Sequence, residues 1–309
     1  QSAQYALAIS YFEKSSEFPQ RYNFGFIAST DDHTARPGTG YKQYERRKMT
    51  FATGVKSKMW EYQYEADDPN FPEIPKITPG ESQPDSERVS SFVYPGGILA
   101  VHAKGRGKDA IWTALKNKNV YGTSGPKILL WFDLMNAPEG KAPMGSEVTM
   151  SQNPRFIVKA AGSFKQNKGC SDESIDSLSS KRLEYLCAGE CYNPSNEREI
   201  IEKIEIIKIT PQEYAGEAIS PLIQDPWKTI PCQGTGECII EFEDQNFSRD
   251  SVYYVRAIQK ASPAINGAPL SQRDSFELCK GSFRTDLEDD CLSMTRERAW
   301  SSPIYINKP

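Results

Sequence analysis

The chain has 309 residues, 38% of them hydrophobic and 11% aromatic, enough apolar material for one large domain or two, and it excludes an intrinsically disordered protein. Its 37 lysines and arginines face 41 aspartates and glutamates, a formal net charge of −4, so no basic excess recruits a nucleic-acid backbone. No run of about 18 apolar residues offers a membrane span, and the first residues lack the basic, apolar and small-residue regions of a signal peptide.

Starting at Gln1 without an initiating Met, the chain reads as a mature or truncated product whose native start lies elsewhere. In "SAQYALAISYFEK" (2–14), Tyr5, Ala8, Ile9 and Phe12 form one stripe at helical spacing, which predicts an amphipathic helix. "FGFIA" (24–28) is short, apolar and non-alternating, the pattern of a strand covered on both faces in a parallel sheet. It breaks into Asp31, Asp32 and His33, one of only 2 histidines, then into a loop carrying Pro37, Gly38 and Gly40. Helix, strand and polar loop is the rhythm of an α/β fold, in which reactive residues collect beyond the carboxyl ends of strands.

Residues 61–95 carry Pro69, Pro72, Pro75, Pro79, Pro84 and Pro95 among acidic and serine residues, which predicts a long surface excursion. "GGILAVHA" (96–103) then reads as an apolar strand. "GKDAIWTALKNKN" (107–119) reads as a helix, with Ala110, Ile111, Ala114 and Leu115 on one stripe and Asp109 in the first turn. "VYGTSGPKILLWFDL" (120–134) predicts strand, tight turn at Gly125-Pro126, strand.

From about residue 145 the texture changes to short β-like runs at 155–161, 201–209, 238–243, 251–259 and 301–306, several of them alternating as half-buried antiparallel strands do. A β-sandwich fits them, with "VYYVRAIQ" and "AWSSPIYI" as adjacent final strands and 260–297 looping out between them. All seven cysteines, Cys170, Cys187, Cys191, Cys232, Cys238, Cys279 and Cys291, lie in this half. Their spacings do not match a paired C-x2-C zinc site and no histidine lies nearby. They read as disulfides pinning loops in an oxidising compartment, or else as scattered buried thiols in a cytosolic protein. The odd count leaves one thiol free or paired outside the chain.

Asp31-x-His33 offers a carboxylate oxygen and an imidazole nitrogen that point the same way in an extended segment, a mixture that Zn²⁺, Mn²⁺ or Fe²⁺ accepts. The competing reading is a surface turn with a helix-capping Asp. Arg36 and Lys42 would face an anionic substrate at the same loop, unless "KQYERRK" is simply a solvated charge run. His102 closes the second apolar strand, either as a substrate contact at the same rim or as a hydrogen-bonded structural histidine. "GRGK" (105–108) precedes a helix but lacks P-loop spacing, and Tyr121, Thr123 and Ser124 have no base beside them in sequence.

"FGFIASTDDHTARPGTGYK", "DAIWTALKNKNVYGTSGPKI" and "YYVRAIQ…RAWSSPIYI", in that order, resemble the C-terminal part of an uncharacterised bacterial family related to the PHP (polymerase and histidinol phosphatase) metal-dependent phosphoesterases. The resemblance implies a distorted β/α barrel holding divalent ions, with Asp31 and His33 matching its closing Asp-x-His ligands. It also implies hydrolysis of a small anionic phosphoester by metal-activated water. Members begin with a His-x-His strand followed by further ligands, and this sequence has neither. An N-terminal portion of the same protein or a companion chain is therefore expected to complete the site. The fold expectation is α/β plus all-β: residues 1–144 as the C-terminal part of a PHP-like barrel, and 145–309 as an immunoglobulin-like β-sandwich with disulfide-bearing insertions. The expected location is periplasmic or secreted. The rival reading is an exported, non-catalytic binding or structural protein with a vestigial metal loop.

Overall fold

A computed structural model describes residues 2–12, 19–29, 97–167, 169–187, 191–265 and 292–309. The chain opens with α1 (Ser2–Ala8) and two short paired strands, β1 (Ser10–Tyr11) and β2 (Gln20–Arg21). Next come β3 (Ile98–Val101), α2 (Lys108–Lys116), β4 (Val120–Thr123), β5 (Leu129–Ala137), β6 (Gly140–Pro143), β7 (Glu147–Thr149), β8 (Arg155–Ala161) and β9 (Phe164–Gln166). The short helices α3 (Asp172–Ser177) and α4 (Ser180–Cys187) precede β10 (Pro194–Arg198), β11 (Ile201–Ile209), β12 (Ile223–Pro231), β13 (Glu237–Glu243) and β14 (Ser251–Gln259). A hairpin of β15 (Ser262–Ile265) and β16 (Leu292–Thr295) is followed by β17 (Arg298–Ser301) and β18 (Ile304–Asn307).

Two sheets carry the fold. The larger runs β12-β11-β14-β17-β4-β3, with β18 also on β14 and β7 on β18; the smaller runs β13-β8-β5-β6. Alternation decides which side chains meet between them. Leu130, Phe132 and Leu134 of β5 and Phe156, Val158 and Ala160 of β8 point inward, against Ile204 and Ile206 of β11 and Tyr253, Val255 and Ala257 of β14. Phe156 stacks on Phe242 at 4.9 Å and meets Tyr253 of the facing sheet at the same centroid distance. The outer face of the larger sheet is covered too, since Ile207, Ile209, Val252, Tyr254 and Tyr305 pack with Leu7 and Ala8 of α1 and with Phe24 and Phe26. This double burial explains why β14 reads as a nearly continuous apolar run and why β11 carries isoleucines on both faces.

The strands expected at 155–161, 201–209 and 251–259 are β8, β11 and β14, and "VYYVRAIQ" does pair with "AWSSPIYI", Arg256 opposite Trp300 and Tyr253 opposite Ile304. The protein is β-rich, and among the described residues no closed barrel forms. The helix between β3 and β4 does not make a parallel crossover. The chain turns back after α2, through Lys118 at φ 58°, and β4 lies antiparallel to β3 with Ile98 opposite Thr123. The turn at Gly125-Pro126 joins strands of different sheets, β4 in the larger and β5 in the smaller. Strands from both sides of residue 144 share both sheets. The opening helix ends at Ala8 rather than residue 14 because tertiary bonds capture the chain there: Gln212 N–H donates to Ala8 O at 2.8 Å, and Ser10 Oγ donates to Gln212 O at 2.9 Å.

Two of the expected disulfides are present among the described residues. Cys170–Cys191 closes the loop that carries α3 and α4, and Cys232–Cys238 clips the turn between β12 and β13, the edge strands of the two sheets. Cys187 ends α4, whereas Cys279 and Cys291 lie outside the described residues.

Candidate functional site

"FGFIA" forms no strand, yet it is held firmly. Three of its main-chain groups are bonded by side-chain hydroxyls instead of a ladder. Tyr305 Oη accepts from Phe24 N–H at 2.9 Å and donates to Phe24 O at 2.7 Å, and Ser302 Oγ accepts from Phe26 N–H at 3.0 Å. Burial pushes the Tyr305 pKa up, so the phenol keeps the proton it needs to donate. The Phe26 ring stands edge-on to Tyr254 at 5.0 Å. Ala28 then crosses β4 at Gly122, where any Cβ would lie 2.8 Å from that of Ala28. Ser29 O accepts from Gly97 N–H at 2.9 Å.

These contacts bring the segment to one end of the larger sheet, where β3 begins, β4 ends and β17 begins. At this rim Ser124 N–H donates to Arg298 O at 2.9 Å, and Ser124 Oγ hydrogen-bonds Glu297 Oε2. Glu297 is 2% exposed, and its Oε1 has no hydrogen-bond partner among the described residues. Desolvation raises its pKa against the weaker influence of Ser124 and Arg298. Ser124 Oγ donates to Glu297 Oε2, with Arg298 O a second acceptor at 3.3 Å, and accepts from Arg298 N–H at 2.9 Å. Ser124 lacks a base nearby in sequence, yet a carboxyl reaches it from 173 residues away.

A folded pKa above the unfolded one means that stability is greatest below the unfolded value and falls as pH rises towards and past the folded value. Glu297→Gln is expected to abolish that loss and raise the unfolding midpoint at neutral pH but not at pH 4, as a pH series of thermal melts would show.

His102 sits at the opposite end of β3, roughly 16 Å from Gly97 along the strand at about 3.3 Å per residue. Its Nε2 is 2.8 Å from Leu130 O, and its ring lies 5.4 Å from Tyr121 and 5.8 Å from Trp131. Asp31, His33, Arg36 and Lys42 lie outside the described residues, two or more positions beyond Ser29. Sequence reading missed Glu297, although its parity with the buried Ala299 and Ser301 on β17 marks it as inward-facing.

Residues 11–168, slightly more than half of the chain, match the family described as "Protein of unknown function (DUF3604)". The chain belongs to the DUF3604 family. No curated protein and no solved structure matches it. The DUF3604 match takes in Ser29, Asp31, His33, His102 and Ser124 and ends after β9, so Glu297 is supplied from beyond it.

Proposed function

We propose that this DUF3604 chain is part of a metal-dependent hydrolase, a phosphoesterase in which Asp31 and His33 hold a divalent ion. One observation carries the reading: Ser29 is anchored at the sheet rim by its bond to Gly97. Covalent reach then limits the Cα atoms of Asp31 and His33 to within about 7 and 14 Å of that of Ser29. Asp31 and His33 thus follow, by two and four positions in the chain, a fixed edge that also holds the buried carboxyl of Glu297.

Two donors do not complete the shell of Zn²⁺, Mn²⁺ or Fe²⁺. Among the described residues no group of three or more His, Cys, Asp or Glu side chains is arranged for a metal. The other ligands come, on this reading, from an N-terminal portion of the protein or a companion chain, with the PHP-like share confined to the stretch around Asp31 and His33. The bound ions would supply Lewis acidity towards a phosphoester and an activated water. Arg36 and Lys42 would attract a small anionic substrate. The two facing sheets are read as an immunoglobulin-like sandwich, and the two disulfides support a periplasmic or secreted location.

The test is metal analysis of the purified protein together with turnover of an aryl phosphate mono- or diester. Stoichiometric transition metal is expected, with Asp31→Ala losing it and lowering turnover by about 100-fold or more, since even outer-shell changes cost 10–100-fold. Neither metal nor turnover in the wild-type protein would leave the exported, non-catalytic binding or structural protein as the better account.

A further inference from the structure

At the other end of the segment that leads to Ser29, residues Pro19–Asn23 face the β7–β18 edge across a cleft of about 650 Å³. Its polar floor is organised by one carboxylate: Glu147 accepts from Asn23 Nδ2 at 2.6 Å and from Asn307 Nδ2 at 3.0 Å. Each amide keeps a second N–H, each carboxylate oxygen keeps a lone pair, and Asn307 Oδ1 has no recorded partner among the described residues. The cationic side chains lining the cleft are already engaged. Arg21 pairs with Asp250, which also accepts from Lys308 N–H at 2.6 Å, while Lys308 Nζ donates to Ser151 O at 2.8 Å. Tyr22, 62% exposed, contributes an aromatic side chain at the cleft.

This lining discriminates by chemistry. An anionic ligand would face Glu147 without an unpaired cation in the lining, and a purely apolar ligand would strand the amides and the carboxylate. A molecule with adjacent hydroxyls, each both donor and acceptor, and with an apolar C–H face satisfies both sets of groups. Its volume falls within the range of small-molecule pockets, about 300–1,000 Å³. We propose that the cleft binds a neutral saccharide of one or two rings, stacked on Tyr22 with its hydroxyls on Asn23, Asn307 and Glu147. The site is independent of the metal reading, because none of these groups belongs to the rim.

Ligand-observed NMR on the whole chain tests this, with glucose, galactose, mannose, N-acetylglucosamine and cellobiose as probes and glucose 6-phosphate and glucuronate as charged controls. At least one neutral sugar is expected to bind at millimolar concentration or below, in preference to its charged counterpart. Tyr22→Ala, at an exposed position that leaves the fold intact, is expected to weaken it by about tenfold, and Asn307→Ala by at least as much. The proposal is overturned if no neutral sugar binds, if only the charged controls bind, or if binding survives Tyr22→Ala unchanged in a protein with an unaltered melting curve.

Discussion

Asp244→Ala is expected to destabilise the protein by about 3–5 kcal/mol, the usual cost of leaving one member of a buried ion pair alone. Asp244 is 1% exposed, and its Oδ2 is bonded by Lys208 Nζ and, at 2.6 Å, by Tyr253 Oη, while Asn246 N–H donates to Oδ1 at 3.0 Å. Lys208 points inward from β11, with the Trp227 and Tyr253 rings 5.3 and 5.8 Å from its ammonium. Removing the carboxylate strands that cation and the Tyr253 hydroxyl in the core. Urea titration of Asp244→Ala should show the full loss, and the double variant Lys208→Met, Asp244→Leu a smaller one, because it buries no charge. An equal loss in both would show that the pair is not what stabilises this end of the core.

The same cluster predicts an acid limb. Burial alone would raise the Asp244 pKa, but the bonds from Lys208, Tyr253 and Asn246, with the charge on Lys208, outweigh it and hold the value below the ordinary carboxylate range. A depressed folded pKa gives stability that is complete above the unfolded value, about 3.9, and lost as pH falls through the folded one.

Gly145→Ala is expected to cost at least about 3 kcal/mol, combining a forbidden backbone conformation with a clash. Gly145 has φ +89°, and its N–H donates to Pro303 O at 2.9 Å. A Cβ there would lie 2.4 Å from Lys118 O and 2.6 Å from Asn117 O, backbone atoms that cannot swing aside. Gly140→Ala is the control: φ is +105°, but nothing lies within 4 Å of the added carbon. Only the conformational part, about 1–3 kcal/mol, should then be lost. Comparable thermal shifts for the two variants would rule out the steric argument.

Strands that carry their own burial signal were legible from sequence. β8 alternates Phe156, Val158 and Ala160 with Arg155 and Lys159, and the isoleucines of β11 and aromatics of β14 announce burial on both faces. Strands defined by a neighbour were not. β12 contains Pro226 and Pro231, which read as breakers, and it is tolerated because it is the edge of the larger sheet. "FGFIA" has the composition of a buried strand but spends its hydrogen bonds on Tyr305 and Ser302, more than 270 positions away, a pairing no local pattern encodes. The Ser124–Glu297 contact, across 173 positions, is likewise not encoded locally, whereas the Asp-x-His signal is local and for that reason was visible.

The grip of Tyr305 and Ser302 on residues 24–26 has a mechanical consequence. The last strand acts as the mooring of a tether that runs from the Tyr22 cleft to Ser29, so load applied to Ile304–Asn307 is transmitted to both places at once. Peeling that strand away would free Phe24 from Tyr305 and strip β7 of its pairing, loosening the cleft and the tether together.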